Sequence, residues 1–208
     1  MMVVGLSYRL IPMIVPAAMP TRTSMAHSAV LLEVGIIVLA IGLLRHSAAT
    51  LPGAILILAG FASFLAHVRD IVKRKLPPPA ALPRPDWATW QTHVAFGWLL
   101  LAAITGLVLT LPIPLAWTAP LGWIYGTAGL LGFLAQIVVG IQGRLLPLHG
   151  WYRVLVNEGP PQRSAHSLAS HRLSRWILLT WMFGVPLLAG GLAFTLSPLV
   201  QVGSALLL

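Results

Sequence analysis

The sequence predicts an all-α, polytopic transmembrane helix bundle. Three observations carry that prediction. Of the 208 residues, 58% are hydrophobic and only 8% charged; the apolar residues fall in runs long enough to cross hydrocarbon; and the charges collect between the runs. A soluble domain carries about a quarter charged residues. This chain has too few ionic groups to coat a globule, so a lipid bilayer is its natural solvent. The net charge of +9 lies in loops, where membrane orientation explains it better than a nucleic-acid partner does. There is no cysteine, which removes disulfides, thiolate metal sites and a cysteine nucleophile.

The spans follow in order. Residues 28–44, 51–71, 89–111, 121–142 and 175–196 are five apolar segments that match, or nearly match, the length needed to cross about 30 Å of hydrocarbon. The segment 28–44 is the shortest and contains Glu33. Residues 1–13 and 198–208 are apolar but too short to span as helices, and no basic n-region precedes the first, unlike a secretory signal. They read as partial spans, so the chain is expected to be a fragment of a longer protein, with 1–208 forming one integral membrane domain.

Charge placement predicts orientation. With the partial first span counted, one side receives the loops 14–27, 72–88 and 145–174. That side holds 12 of the 13 basic residues, leaving only Arg45 opposite. Basic loops stay in the cytoplasm, so these three are expected there. The linker "KRKLPPPAALPRPD" reads as a stiff, basic spacer.

A short motif occurs twice, as "VVGLSYRLIPM" at 3–13 and "VVGIQGRLLPL" at 138–148. The copies agree at Val3/Val138, Val4/Val139, Gly5/Gly140, Arg9/Arg144, Leu10/Leu145 and Pro12/Pro147. Both sit at the same end of their spans and are four spans apart, the pattern of a duplicated four-helix block. Glycine, arginine and proline fall on one stripe of a helix. The proline is expected to kink or stop it, the arginine suits the carbonyl end, and the glycine admits a close neighbour. Each arginine either snorkels as an anchor or faces inward and pairs with Glu33 or with the carboxylates of a buried cofactor. In the fifth span Gly132, Gln136, Gly140 and Arg144 line one slowly drifting face, with Leu130, Leu131, Ile137 and Val138 pointing elsewhere. Such a face suits close packing or a ligand.

Of the seven histidines, His67 and His93 lie in adjacent spans at matching depth. They are placed to ligate a haem iron or a metal, or to stand as interfacial side chains. His46, His149, His166 and His171 fall in loops or at interfaces, and His27 opens a span. Glu33 is deeper and alone among apolar residues, so it must be protonated or paired. It is the candidate for a proton relay or for an arginine partner. The four acidic residues, Glu33, Asp70, Asp86 and Glu158, are too scattered for a calcium or two-metal site.

The segments "GLSYRLIPM", "GLLGFLAQIVVGIQGRLLPLHGW", "RPDWATWQTHVAFGWLLLAAITG" and "RSAHSLASHRLSRWILLTWMFGVPLLAGGLAF" resemble bacterial membrane proteins related to haem–copper oxidase subunit I, including the NnrS-like proteins. The resemblance implies a bundle built from four-helix blocks, a haem or metal cofactor, and a place in respiratory or nitric-oxide-related redox metabolism alongside other membrane subunits. With such a cofactor, His67 and His93 are the local ligand candidates by their placement, and Arg9 and Arg144 would fix its anionic groups or lock helices. The chain departs from the family at one point: the His-x-His pair expected near the start of the fifth span would fall at Tyr125 and Thr127, where no histidine stands. Two other readings remain beside it, a proton-coupled transporter or channel lined by Glu33, Gln136 and the arginines, and a non-catalytic scaffold subunit.

Overall fold

The computed structural model describes residues 8, 24–45, 47–74, 86–159 and 170–208. Their regular structure is helical, with no strand among the described residues. The helices are α1 (Ser24–Leu44), α2 (Thr50–Lys73), α3 (Trp87–Leu109), α4 (Leu115–Thr127), α5 (Gln136–Glu158), α6 (His171–Ala193) and α7 (Ser197–Leu207). A π-helical stretch, Ala128–Ala135, joins α4 to α5. Five of the resulting segments are long and apolar enough to cross a membrane, and only 22–39% of each is buried inside the protein. Large side chains such as Ile37, Leu44 and Leu115 point outward from them, as expected when lipid, not water, is the surrounding solvent. The chain is a multi-pass, all-α membrane protein.

Local chemistry sets the helix ends. Asp86 opens α3: its carboxylate accepts the Thr89 hydroxyl at 2.6 Å and the Thr89 N–H at 3.4 Å, covering donors that the first turn leaves bare. Ser170 does the same for α6 through the Leu173 N–H, at 3.4 Å. The sequence placed an end near Pro147, with the loop beginning at 145. The helix instead continues through Pro147 to Glu158. A proline removes a single ladder hydrogen bond, and the following residues "LHGWYRVLVNE" sustain the helix. It ends at Gly159, whose φ of 87° and ψ of −174° are open in practice only to glycine.

Contacts divide the chain into two compact units, Met1–Pro78 with Ala103–Ile113, and Pro79–Ala102 with Pro114–Leu208. In the first, α1 and α2 form an antiparallel hairpin in which glycines let the backbones meet. Gly35 packs on Ile57, Gly42 on Thr50, Gly53 on Leu39 and Gly60 on Leu32, a single register along the whole seam. A Cβ at Gly53 would lie 2.5 Å from the Leu39 backbone nitrogen, so nothing larger fits. Small residues at such seams replace the hydrophobic drive that lipid does not supply.

The second unit contains the same hairpin again. Between α6 and α7, Gly184 packs on Leu207, Gly191 on Val200 and Gly203 on Leu188. Gly35, Gly42 and Gly53 thus have counterparts, in order and in spacing along the first helix, in Gly184, Gly191 and Gly203. Their partners Ile57, Thr50 and Leu39 correspond to Leu207, Val200 and Leu188. This recurrence agrees with a duplicated block of helices and involves residues outside the repeated arginine motif. In the same unit α4 packs along α6, and α3 packs on the π-helical stretch and α5 through Ala95, Phe133 and Ile137.

Candidate functional site

The first unit holds a polar chain in an otherwise apolar setting. The Tyr8 hydroxyl lies 2.8 Å from Ser28 Oγ and 3.3 Å from His67 Nδ1. Ser28, fully buried near the start of α1, donates to the Met25 carbonyl at 2.8 Å. The donor inventory then sets the direction of each bond. Ser28 has one O–H, directed at Met25, so it accepts from Tyr8. Tyr8 has one O–H, directed at Ser28, so it accepts from His67. His67 Nδ1 must therefore carry a hydrogen. The rings support the arrangement edge-on: Tyr8 and Phe64 centroids are 5.3 Å apart at 75°, and Tyr8 and His67 are 6.0 Å apart at 73°. Sequence reasoning singled out His67 but missed Tyr8 and Ser28. A signal existed for Tyr8, which replaces the glycine of the second motif copy, Gly143.

The second unit places two further imidazoles. His93 Nδ1 lies 2.7 Å from the Thr89 carbonyl. A carbonyl only accepts, so His93 Nδ1 also carries a hydrogen, on an exposed side chain. His171 differs. The indole N–H of Trp87 donates to its Nε2 at 2.9 Å, occupying the ligating nitrogen, while Arg175 lies 6.0 Å from the Trp87 ring centroid. An imidazole whose Nδ1–H is held by a carbonyl or hydroxyl is oriented as metal- and haem-binding histidines are. His67 and His93 meet that condition and His171 does not.

The stripe singled out in the fifth span lies against α3. Gly132 faces Trp98, Gln136 is fully buried near the level of Ala95, and Gly140 faces Gln91 and the Thr92 hydroxyl. Large residues on one helix meet small ones on the other. In an α-helix, steps of four residues drift by about 40°; the wider i→i+5 turns of the π-helical stretch reduce that drift, so Gly132 and Gln136 both reach α3. Leu130 and Val138 point outward as expected, whereas Ile137 turns into the core beside Ala95 and Phe133. The polar atoms here are unusual. Both carboxamide atoms of Gln91 and of Gln136, together with Trp98 Nε1, are buried without a hydrogen-bond partner. Each such group costs about 1–3 kcal/mol when left unmet, so something must offset them. Nothing in the sequence drew attention to Gln91 or Trp98, because a lone carboxamide or indole near a span end is ordinary.

The remaining candidates divide by position. Glu33 stands exposed on α1 beside Val34 and Val30, on a face turned away from the seam. Arg9 and the side chain of Arg144 lie outside the described residues, as does the first motif copy apart from Tyr8. His67 and His93 belong to different units, each described by itself. Among the described residues no three of His, Cys, Asp and Glu come together as a metal cluster; axial coordination of a haem needs only one or two imidazoles. No protein-family model, curated protein or solved structure matches the chain, and the resemblance to oxidase-subunit-like proteins rests on the segments quoted above.

Proposed function

We propose that this chain is part of a haem- or metal-binding protein of the bacterial inner membrane, acting in respiratory or nitric-oxide-related redox metabolism alongside other membrane subunits. The loops rich in Arg and Lys lie on the cytoplasmic side in this reading. The observation that carries it is the directed chain His67→Tyr8→Ser28→Met25, which aligns one imidazole with its Nδ1–H toward Tyr8. The duplicated hairpin adds weight. Ile177 stands one heptad before Gly184, as Ser28 stands one heptad before Gly35, and Gly143 stands where the first motif has Tyr8. The same hairpin is therefore built in the second copy without the polar chain, so packing alone does not require it.

The residues present suit an iron centre in their chemistry. His67 in the first unit and His93 in the second are each candidate imidazole ligands, and Arg9 and Arg144 are candidates to pair with anionic groups of a porphyrin. A bound haem would supply one-electron chemistry or the capture of a small diatomic ligand. The chain's own contribution is orientation: Tyr8 and the Thr89 carbonyl hold the rings, and the apolar spans exclude water. The test is the absorption spectrum of the full-length protein purified in detergent from haem-sufficient cells. A Soret band is expected, weakened by His67→Ala and by His93→Ala and unchanged by His171→Ala. A colourless preparation free of iron and copper would overturn the proposal.

A further inference from the structure

The buried carboxamides between α3 and α5 are independent of the haem reading and point to a second kind of site. Gln91 and Trp98 lie seven residues apart on α3, which is about two turns. Gln136 lies on the partner element between Gly132, which faces Trp98, and Gly140, which faces Gln91, so its level is between theirs. The three polar groups thus follow one another along one seam at intervals of roughly a helical turn, about 5 Å. Two hydrogen bonds through a single water span about 5.6 Å. The two carboxamide side chains are sealed from the surroundings, Gln91 being 2% and Gln136 0% exposed, and the Nε1 atom of the partly buried Trp98 is covered as well. Phe133, Ile137, Phe96, Leu99 and Ile141 close the apolar walls.

We propose that the α3–α5 seam binds water, in a row that links the carboxamides of Gln91 and Gln136 to the indole N–H of Trp98. The chemistry of the donor set selects this guest. Two carboxamides and one indole present five N–H hydrogens and two oxygens, with no charge. Such a balanced, neutral set suits a molecule that both donates and accepts, and it gives no reason for an ion. Size agrees. A Cβ at Gly132 would lie 2.5 Å from Trp98 Cγ, and one at Gly140 would lie 3.3 Å from the Gln91 side chain, so these two side chains already fill the space at the glycines and leave no room for a further ring there. Polar partners of this number are what a buried water requires. The indole donates only and fixes one end of the row, so a proton cannot be relayed past Trp98. The row gives the π-helical stretch beside Gln136 a hydrogen-bonded brace inside the membrane.

Hydroxyl-radical footprinting by X-ray pulse, on the full chain in lipid nanodiscs, tests the proposal, because radicals form from water held next to a side chain. Phe133 and Phe61 are of one residue type and similarly buried, at 8% and 4% exposed; they lie beside the seam and within α2, respectively. Phe133 is expected to be oxidised severalfold faster than Phe61, with Trp98 also labelled. In the double variant Gln91→Leu, Gln136→Leu, labelling at Phe133 should fall to the Phe61 level. Equal rates at Phe133 and Phe61 in the unaltered protein would overturn the proposal and indicate carboxamides bonded to each other in a dry seam. That comparison decides the matter even if the double variant fails to fold.

Discussion

The hairpins α1–α2 and α6–α7 share a seam and differ in what stands beside it. Glycines occupy equivalent places in both, against equivalent partners. Beside the first lie Tyr8, Ser28 and His67, joined by hydrogen bonds; the second has Ile177 in place of Ser28, and Gly143 is the motif counterpart of Tyr8. A membrane hairpin therefore forms with or without the polar chain. The difference separates two tasks that a single copy would confound. The glycines make the fold, and the polar chain orients an imidazole that the fold does not need.

The largest effect should come from filling the seam. Gly53→Val and Gly203→Val each place a branched side chain where even a Cβ meets backbone, at 2.5 Å and 2.6 Å. Ordinary overpacking costs about 1–3 kcal/mol; a collision with backbone should exceed that. Both variants should be lost from the detergent-soluble, monodisperse fraction to a similar extent. If only one failed, the equivalence of the two hairpins would be broken.

The next effect belongs to the polar chain. Tyr8→Phe leaves the His67 Nδ1–H and a Ser28 lone pair without their partner, at a cost of about 1–3 kcal/mol in thermal unfolding monitored by circular dichroism. Ser28→Ile copies the residue of the second hairpin. It should retain helicity and the oligomeric profile while costing a smaller amount, about 1 kcal/mol or slightly more, because Tyr8 loses its acceptor. Outright collapse of Ser28→Ile would mean that the first hairpin depends on its polar chain after all.

The smallest effect lies in the turn of the second hairpin. Thr195 adopts φ 56°, a left-handed conformation that costs an L residue about 1–2 kcal/mol. The turn is held by Leu196 N–H to the Gly191 carbonyl at 2.8 Å. Thr195→Gly should relieve part of that strain and raise the unfolding midpoint, with no effect on the first hairpin.

Much of this was legible in the sequence. Run length and charge placement predicted the helical membrane fold, since hydrocarbon imposes a minimum length and admits few charges. The stripe of Gly132, Gln136 and Gly140 was visible as a packing face. The continuation of α5 through Pro147 was not, because a proline's effect depends on whether neighbouring residues sustain the helix. The π-helical stretch leaves no composition signal either: "AGLLGFLA" reads as any apolar turn. His67 was singled out by depth, but Tyr8, distant in sequence, reaches it only through tertiary packing. Glu33 stood out as a lone carboxylate, and sequence periodicity alone did not reveal that it faces away from the α1–α2 seam.

The orientation of His67 is the claim on which the functional reading turns, and the nitrogen-15 chemical shifts of its imidazole report it most directly. Solid-state spectra of the full chain in lipid, with nitrogen-15 histidine assigned through the loss of one signal in His67→Gln, should show Nδ1 protonated. Nε2 should appear as the unprotonated nitrogen, or shifted by a bound metal. A bare Nδ1 with a protonated Nε2, the opposite tautomer, would contradict the hydrogen-bond chain and remove His67 as the oriented ligand.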